Sequence, residues 1–582
     1  MLMKNWLIWG WVIFTIVFVE ICPSISWSAI YYVDFVSGRN ENTGTKASPK
    51  QNIPATLAAG DIVYLKRGVS YNANYTFSNS GTLKVKNENG SHTAGGNTLT
   101  SATTNFAASG VTTADHVFIN GEGWFGIASV GTTSLTLTTT TKHTSTGVAF
   151  CVANNITITI DQSWGTGSAI FKGNLNLTGR NYIVVDGVIT KGIEFTNPVS
   201  HYRFIDTYNS DTGPYYYGII LRNLYFHDNY PVYDGISDYG AIKIQHVSHS
   251  LLQNLIIEDV GTQAATLDWG NGLFLFYLQY TTIDNNVIKR VAGDGIQVGG
   301  WESGYLQNTE IAYSGYVHCV PSGDVHNDGL QSVGGLNNFV MRYNRIHDNP
   351  ANTQLNGMTN FKMYNNLIYD TILQGGYCGN QLGGGNEGLR IITSSGEIYN
   401  NIIAFNIYDA IHVGWGYSCA GPITIKNNIF YENDDLNGGG AEVLIDKECT
   451  SVTTLDHNIY IRKNKPVTND KIINWGGNSY SLAQARTVGL ETNGKKCTAV
   501  GCDWTWGNPE VFVDSGRSNP DFRPALSNSS QVGTGVSIGI QFDFNGFKFR
   551  NPPSIGAFEY AGSEYTLPSS SIPSPPSDLI IN

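Results

Sequence analysis

At 582 residues the chain is long enough for several domains, yet only 14% of it is charged and 66 residues are glycine. That balance excludes a mainly helical architecture, because long helices draw on Ala, Glu, Lys and Leu. A formal net charge of −12 disfavours a broad nucleic-acid or anionic-membrane surface, so neither is an expected partner.

Residues 1–28 read as a secretory signal. Lys4 supplies the positive start, Trp6 to Val19 the apolar stretch and Ser26-Trp27-Ser28 a small-residue cleavage site. A retained anchor is the alternative, but the stretch is short for a membrane span and Glu20 interrupts it. The expected location is therefore extracellular or periplasmic, with no stable membrane span after cleavage. Seven cysteines would remain: Cys151, Cys319, Cys378, Cys419, Cys449, Cys497 and Cys502. The odd count leaves at least one free unless chains are cross-linked. Cys497 and Cys502 bracket a short loop, and Cys419 and Cys449 lie one repeat step apart.

Residues 29–89 form an N-terminal cap, containing "AAGDIVYLKRGVSY". Residues 90–152 are rich in Thr and Ser, with alternating stretches such as "SLTLTTTT", and are expected to form a small β insertion. From 153 to 462 the text repeats. Residues 463–560 lose the period and are expected to cap the last coil, whose strand edges would otherwise template aggregation. Residues 561–582 are a Pro/Ser-rich tail.

The repeat is an Asn followed by aliphatic or aromatic residues. It occurs at Asn223, Asn254, Asn286, Asn308, Asn344, Asn366, Asn401, Asn428 and Asn458, in steps of 22 to 36 residues. Such a period marks a solenoid. Apolar residues alternate in twos, as in Ile242 and Ile244 or Ile296 and Val298, which is the strand period and not the helical one. The predicted fold is all-β, a right-handed parallel β-helix. The Asn fits the inside of a sharp bend, where stacked amides bond from coil to coil.

Between the Asn marks runs a second column: "GAIK", "NGLF", "DGIQ", "DGLQ", "NGMT", "EGLR", "DAIH" and "AEVL". Its third residue should point inward and its fourth outward. This predicts one outward row of Lys243, Phe274, Gln297, Gln331, Thr359, Arg390, His412 and Leu444. A parallel row of Asn271, Asp294, Asp328, Asn356, Glu387 and Asp409 should stand at the strand starts. His326 should overhang this face, and Trp301, Glu302, Tyr305, Trp415 and Tyr417 should wall it. Aromatic walls beside polar groups suit sugars, so the expected partner is a polysaccharide. The candidate catalytic residues are Asp294, Asp328, Glu387, Arg390 and His412. Lys243, Gln297, Gln331, His326, Trp301 and Trp415 are the candidate substrate-binding residues.

Each residue also has a plainer reading. Asp-Gly and Asn-Gly are ordinary turn pairs. Gln297 and Gln331 suit a surface amide ladder, Arg390 a surface ion pair with Glu387, and His412 a structural role. The functional reading rests on Asp, Glu, Arg, His and Gln sharing one face. Two chemistries fit that set. In β-elimination a base removes the proton alpha to a uronate carboxylate while a cation neutralises it; Arg390, Lys243 and His412 are the candidates, with Asp and Glu as ligands for Ca²⁺. In hydrolysis two carboxylates flank the bond, with Asp294–Asp328 or Asp328–Glu387 as the pair.

From about residue 30 to 560 the chain resembles the pectate-lyase-like superfamily of right-handed parallel β-helices, through its "GDIVYL" opening, its coils and its "NPDFRPALSNSS…SIGAFEY" close. The resemblance implies the fold but not one activity, since that fold hosts lyases, hydrolases, epimerases, tailspikes and adhesins. "NEGLRIITSS" is similar to a strand of the chondroitinase B and alginate lyase family, which implies Glu387 as a calcium ligand with Arg390 beside it. "AEVLIDKEC" is similar to that family's Lys-bearing strand, which implies Lys447 as a base, although here the coil "DAIHVGWG" separates the two. Asn327-Asp328-Gly329 matches part of the polygalacturonase pattern, without its paired Asp-Asp strand. The leading expectation is lyase-type cleavage of an acidic polysaccharide. The alternatives are a glycoside hydrolase or a non-catalytic carbohydrate-binding, adhesin or tailspike-like β-helix.

Overall fold

The computed structural model describes residues 28–560 apart from 73, 197–202, 209–211, 230–239, 262–269, 316–326, 373–385, 434–440, 463–470, 499–500, 503–511, 515 and 518–519. Three long parallel sheets of 13, 14 and 16 strands wind around one apolar column. Each strand pairs with its counterpart in the next coil, as in Ile156↔Ile183 and, one coil on, Val184↔Ile220. The chain is thus a right-handed parallel β-helix. Inward Ile, Leu, Val and Phe stack along the axis: Ile242, Leu273, Ile296, Leu330, Leu389 and Ile411 are all fully buried. Each coil completes the core of its neighbours, which is how so long a chain holds one core. Among the described residues no helix is long and apolar enough to cross a membrane.

The bend between the 13- and 14-stranded sheets explains the Asn repeat, and separates it into two columns. Its first position takes positive φ at Asn254, Asn285, Asn308, Tyr343, Asn365, Asn400, Asn427 and His457, a conformation Asn tolerates better than most residues. Its second position turns inward. There Asn344, Asn366, Asn401, Asn428 and Asn458 form a ladder, each side-chain N–H donating to the next Asn Oδ1 at 2.9–3.0 Å. The same Oδ1 accepts the backbone N–H of the coil before, as in Asn366 N to Asn401 Oδ1 at 2.9 Å. Asn223, Asn254 and Asn308 belong to the first column, and Thr309 fills the inward position in the coil of Asn308. The ladder ends on Glu491, whose carboxylate accepts from Asn458 and from the Tyr460 hydroxyl, both at 2.6 Å. Burial pushes that carboxyl up to about 7.

The chain leaves the solenoid at Thr82 and returns at Asn154. Between them six antiparallel strands close into a barrel around Leu99, Phe106, Ile119, Leu135 and Phe150. It begins ahead of residue 90, because the Thr- and Ser-rich text starts only partway along its first strand, Thr82–His92. The barrel is pinned to the coils: Asn120 Nδ2 donates to Ser303 O at 2.7 Å, Gly121 N to Thr282 Oγ1 at 2.8 Å and Arg342 Nη2 to Gly121 O at 3.1 Å.

Candidate functional site

The 16-stranded sheet carries the predicted row. Its relevant strands are β1 (Gly240–Ser248), β2 (Asn271–Gln279), β3 (Ile296–Glu302), β4 (Asp328–Ser332), β5 (Ala351–Asn356), β6 (Leu389–Ile392), β7 (Ile411–Val413) and β8 (Val443–Ile445). Register aligns Lys243, Phe274, Gln297, Gln331, Gln354, Arg390, His412 and Leu444. Gln354 stands where Thr359 was expected. Asn356-Gly357 is the turn that leaves β5, with Gly357 at φ 63°, whereas Asn271-Gly272, Asp294-Gly295 and Asp328-Gly329 stand at strand starts. Thr359 therefore falls on a short strand that pairs with Asn337. Asn356 likewise sits at the strand's end, opposite Ile392, and not in the starting row.

The two halves of the row differ. At the β1–β4 end Lys243 is buried, with its ammonium 4.2 Å from the Tyr208 ring and 5.0 Å from the Phe274 ring. Gln297 donates to Gln331 Oε1 at 2.6 Å and accepts from Asn271 at 3.3 Å. Asp294 and Asp328 are buried at the strand starts. Asn271 Oδ1 accepts the Asp294 backbone N–H at 2.9 Å, and Asp294 Oδ1 accepts that of Asp328 at 2.8 Å. These bonds join one coil to the next at the strand starts, and they commit one Asp294 oxygen to the backbone.

The β5–β8 end is a charged cluster. Arg390 donates to Glu387 Oε2 at 2.7 Å and to Gln354 Oε1 at 3.1 Å, and its guanidinium lies 3.7 Å from the Trp415 ring centroid. One coil on, His412 Nδ1 is 3.7 Å from Glu387 Oε1, and Nε2 is 3.4 Å from Asp446 Oδ2. Burial works to lower the His412 pKa, but Glu387 and Asp446 outweigh it and the group is raised. Burial works to raise Glu387, but His412 and Arg390 outweigh it and the carboxyl is held below its ordinary value. Asp446 also accepts the Gly416 N–H at 2.7 Å, fixing the turn in which Trp415 takes φ 53°. A disulfide from Cys419 to Cys449 ties the far end of that turn to the next coil, as the repeat spacing suggested.

Gln354 and Asp446 were missed as site residues. Gln354 was legible in the alternation of "NTQLN", whereas nothing in the text distinguishes Asp446 from a turn residue. Lys447, beside it, is exposed on a short 3₁₀ turn. Trp415 and Tyr417 are exposed along this edge, at 39% and 58%. Trp301 is a correction: it is buried against Phe339 at 4.9 Å and walls nothing. Gly300, at φ 61°, inserts a bend that shifts the in–out alternation by one and turns Trp301 to the core opposite Leu278. Tyr305 is likewise turned away, onto the barrel side, where the Arg342 guanidinium lies 4.9 Å from its ring. His326 falls outside the described residues.

Glu387 does not fit a calcium site. Both its oxygens face basic side chains, Arg390 and His412, and among the described residues no group of three His, Cys, Asp or Glu side chains could hold a metal.

The family model described as the right-handed beta helix region matches residues 271–465. No curated protein sequence matches the chain. Among solved structures it is similar to pectate lyase Pel9A, at 13% identity over 92% of this chain and 97% of that one, with a TM-score of 0.36. It is also similar to a GH136 lacto-N-biosidase from Eubacterium ramulus, at 12% identity over 77% of this chain and 66% of that one, with a TM-score of 0.36. A third is XylC, in complex with xylose, at 12% identity over 77% and 86%, with a TM-score of 0.35.

Proposed function

We propose, since the right-handed parallel β-helix is a fold that hosts many activities, a function read from the chain's own side chains: cleavage of an acidic polysaccharide by β-elimination at the Arg390–His412–Trp415 end of the row. The observation that carries this is a buried guanidinium stacked on an exposed tryptophan, one coil from a histidine held between two carboxylates.

In this reading Trp415 takes the apolar face of a sugar ring. Arg390 faces the uronate carboxylate and stabilises the charge that grows on it. His412, in its neutral form, takes the proton alpha to that carboxylate. The electron pair left on carbon forms the double bond as the glycosidic C–O bond breaks; the departing oxygen takes a proton from water, and His412 returns the proton it took to solvent. Glu387 and Asp446 orient the imidazole and set its pKa. Hydrolysis is less well supported: it needs a carboxyl kept protonated, and Glu387 is shifted the opposite way. A non-catalytic binder is favoured by one observation, that Glu387 already neutralises much of the Arg390 charge at 2.7 Å.

Incubation with a panel of uronate polymers should yield unsaturated ends, read by ultraviolet absorbance. Reducing ends alone would move the reading to hydrolysis, and neither product would leave binding. The pH profile supplies a second check. His412 acts deprotonated and its pKa is raised, so kcat/KM should climb through a limb above the ordinary histidine value. Asp446→Asn removes one raising group and should move that limb to lower pH. A limb that stays put in this variant would remove His412 from the base role.

A further inference from the structure

A second constellation lies on the 13-stranded sheet, where the coils meet the barrel and the C-terminal segment. A cleft of about 240 Å³ there is lined by Arg342, Lys362, Tyr364 and Glu397 of the coils, by His143 of the barrel and by residues 538–542. Arg342 is the centre of it. Its residue is only 7% exposed, and register places it between Gln307 and Tyr364 of the adjoining coils.

The partners of this guanidinium are neutral. Nε donates to Gln307 Oε1 at 2.8 Å, Nη1 to the Tyr364 hydroxyl at 3.1 Å and Nη2 to Gly121 O at 3.1 Å. His143 Nδ1 lies 3.3 Å from Nη2, but it also lies 2.8 Å from Glu122 Oε1. Burial works to raise the Glu122 pKa, but His143 and the Lys142 backbone N–H outweigh it and hold the carboxyl ionised. An ionised carboxylate only accepts, so His143 Nδ1 gives its hydrogen to Glu122 and cannot accept from Arg342. One hydrogen on Nη1 and one on Nη2 are then left without an acceptor among the described residues.

The other charges are spoken for. Lys362 lies 3.7 Å from Glu397. Glu122 meets Arg342 only through the His143 ring, and its oxygens accept the backbone N–H of Lys142 at 2.6 Å and of His143 at 2.7 Å. The bonds to Gln307 and Gly121 pin the barrel to the coils, but an uncharged donor would do that as well. They do not account for a buried positive charge, which is costly unless something pairs it.

We propose that this cleft is an anion site, separate from the row on the 16-stranded sheet, and that it takes a small ligand bearing a carboxylate or a phosphate group. The open hydrogens of Arg342 would pair with that oxyanion, as a planar guanidinium does with either group. The Tyr364 hydroxyl, which accepts from Nη1, would donate its own hydrogen to it. The volume is below the range of drug-sized sites, which suits one charged sugar ring and not a stretch of polymer. The proposal does not depend on the reaction assigned to the row.

Calorimetric titration of the whole chain with glucuronate, galacturonate, glucose 6-phosphate and glucose tests this. At least one charged sugar should bind about tenfold or more tightly than glucose, the contribution of one hydrogen bond to a charged group. Tighter binding of a uronate assigns a carboxylate, and of glucose 6-phosphate alone a phosphate. Arg342→Gln should abolish the preference for charge. Arg390→Ala/Glu387→Gln should leave it within about twofold, the additive behaviour of distant sites. Lys362 is exposed at the cleft, so Lys362→Ala should keep the wild-type melting behaviour and weaken charged binding about threefold by leaving Glu397 unopposed. Glucose binding as tightly as every charged sugar overturns the proposal, as does a folded Arg342→Gln variant that binds like wild type. If Arg342→Gln does not fold, unchanged binding in Lys362→Ala overturns it alone. Loss of binding in Arg390→Ala/Glu387→Gln also overturns it, by assigning the ligand to the row.

Discussion

Arg390→Ala should lower kcat/KM on a uronate polymer by about 10²–10³-fold, the usual effect of removing a charge stabiliser. The guanidinium does three things at once: it stacks on Trp415 at 3.7 Å, pairs with Glu387 at 2.7 Å and bonds Gln354 at 3.1 Å. A lysine has one compact charge and no plane to stack, so Arg390→Lys should recover little of the loss. Removing Arg390 also leaves a buried Glu387 carboxylate without its partner, which is destabilising by itself. The double variant Arg390→Ala/Glu387→Gln removes that complication. If it folds with wild-type melting behaviour and keeps activity within about threefold, well short of that expected loss, the site lies elsewhere.

The second large effect is on stability. Asn401→Leu should cost about 3–5 kcal/mol in denaturant unfolding, because several buried partners lose their bonds together. Asn401 Oδ1 accepts from Asn366 N and Nδ2, and its own Nδ2 donates to Met363 O and Asn428 Oδ1, all at 2.9–3.0 Å. Asn308→Ala changes the positive-φ column instead, where the side chain makes a half-buried bond to Asp284 at 2.7 Å. It should cost less, about 1–2 kcal/mol for the backbone conformation and that bond together. Equal costs at the two positions would mean that the ladder contributes no more than the bend.

The fold was legible because its strongest signal is local and repeated. An Asn at one or other position of the bend leaves a mark in the text whatever the loops do, and alternation between marks sets the direction of each side chain. Reading failed where one backbone residue changes the phase. Gly300 flips Trp301 from wall to core, and Gly357 ends a strand with the same Asn-Gly pair that elsewhere begins one. Both are single positive-φ glycines, indistinguishable in sequence from ordinary turn residues. The Arg390–Glu387 contact was legible because it lies within one strand start. Asp446 was not, because its approach to His412 depends on register across coils, 34 residues apart.

The two-residue bend that carries the ladder has one further consequence, for how such a chain can change. From Gln253 to Ile256 and from Asp456 to Ile459 the crossing is equally short, and the coils between them keep it. All variation in coil length is therefore pushed to the other two corners. The most uneven corner is the one feeding the strands of the candidate site: Val291 to Ile296 is brief, whereas Tyr369 to Leu389 is long. The molecule thus resembles a comb clamped along one spine, with teeth of free length on the opposite side. Insertions there would reshape what approaches Arg390 and His412 while leaving the register beneath them unchanged, which makes that corner the natural place to graft a new specificity.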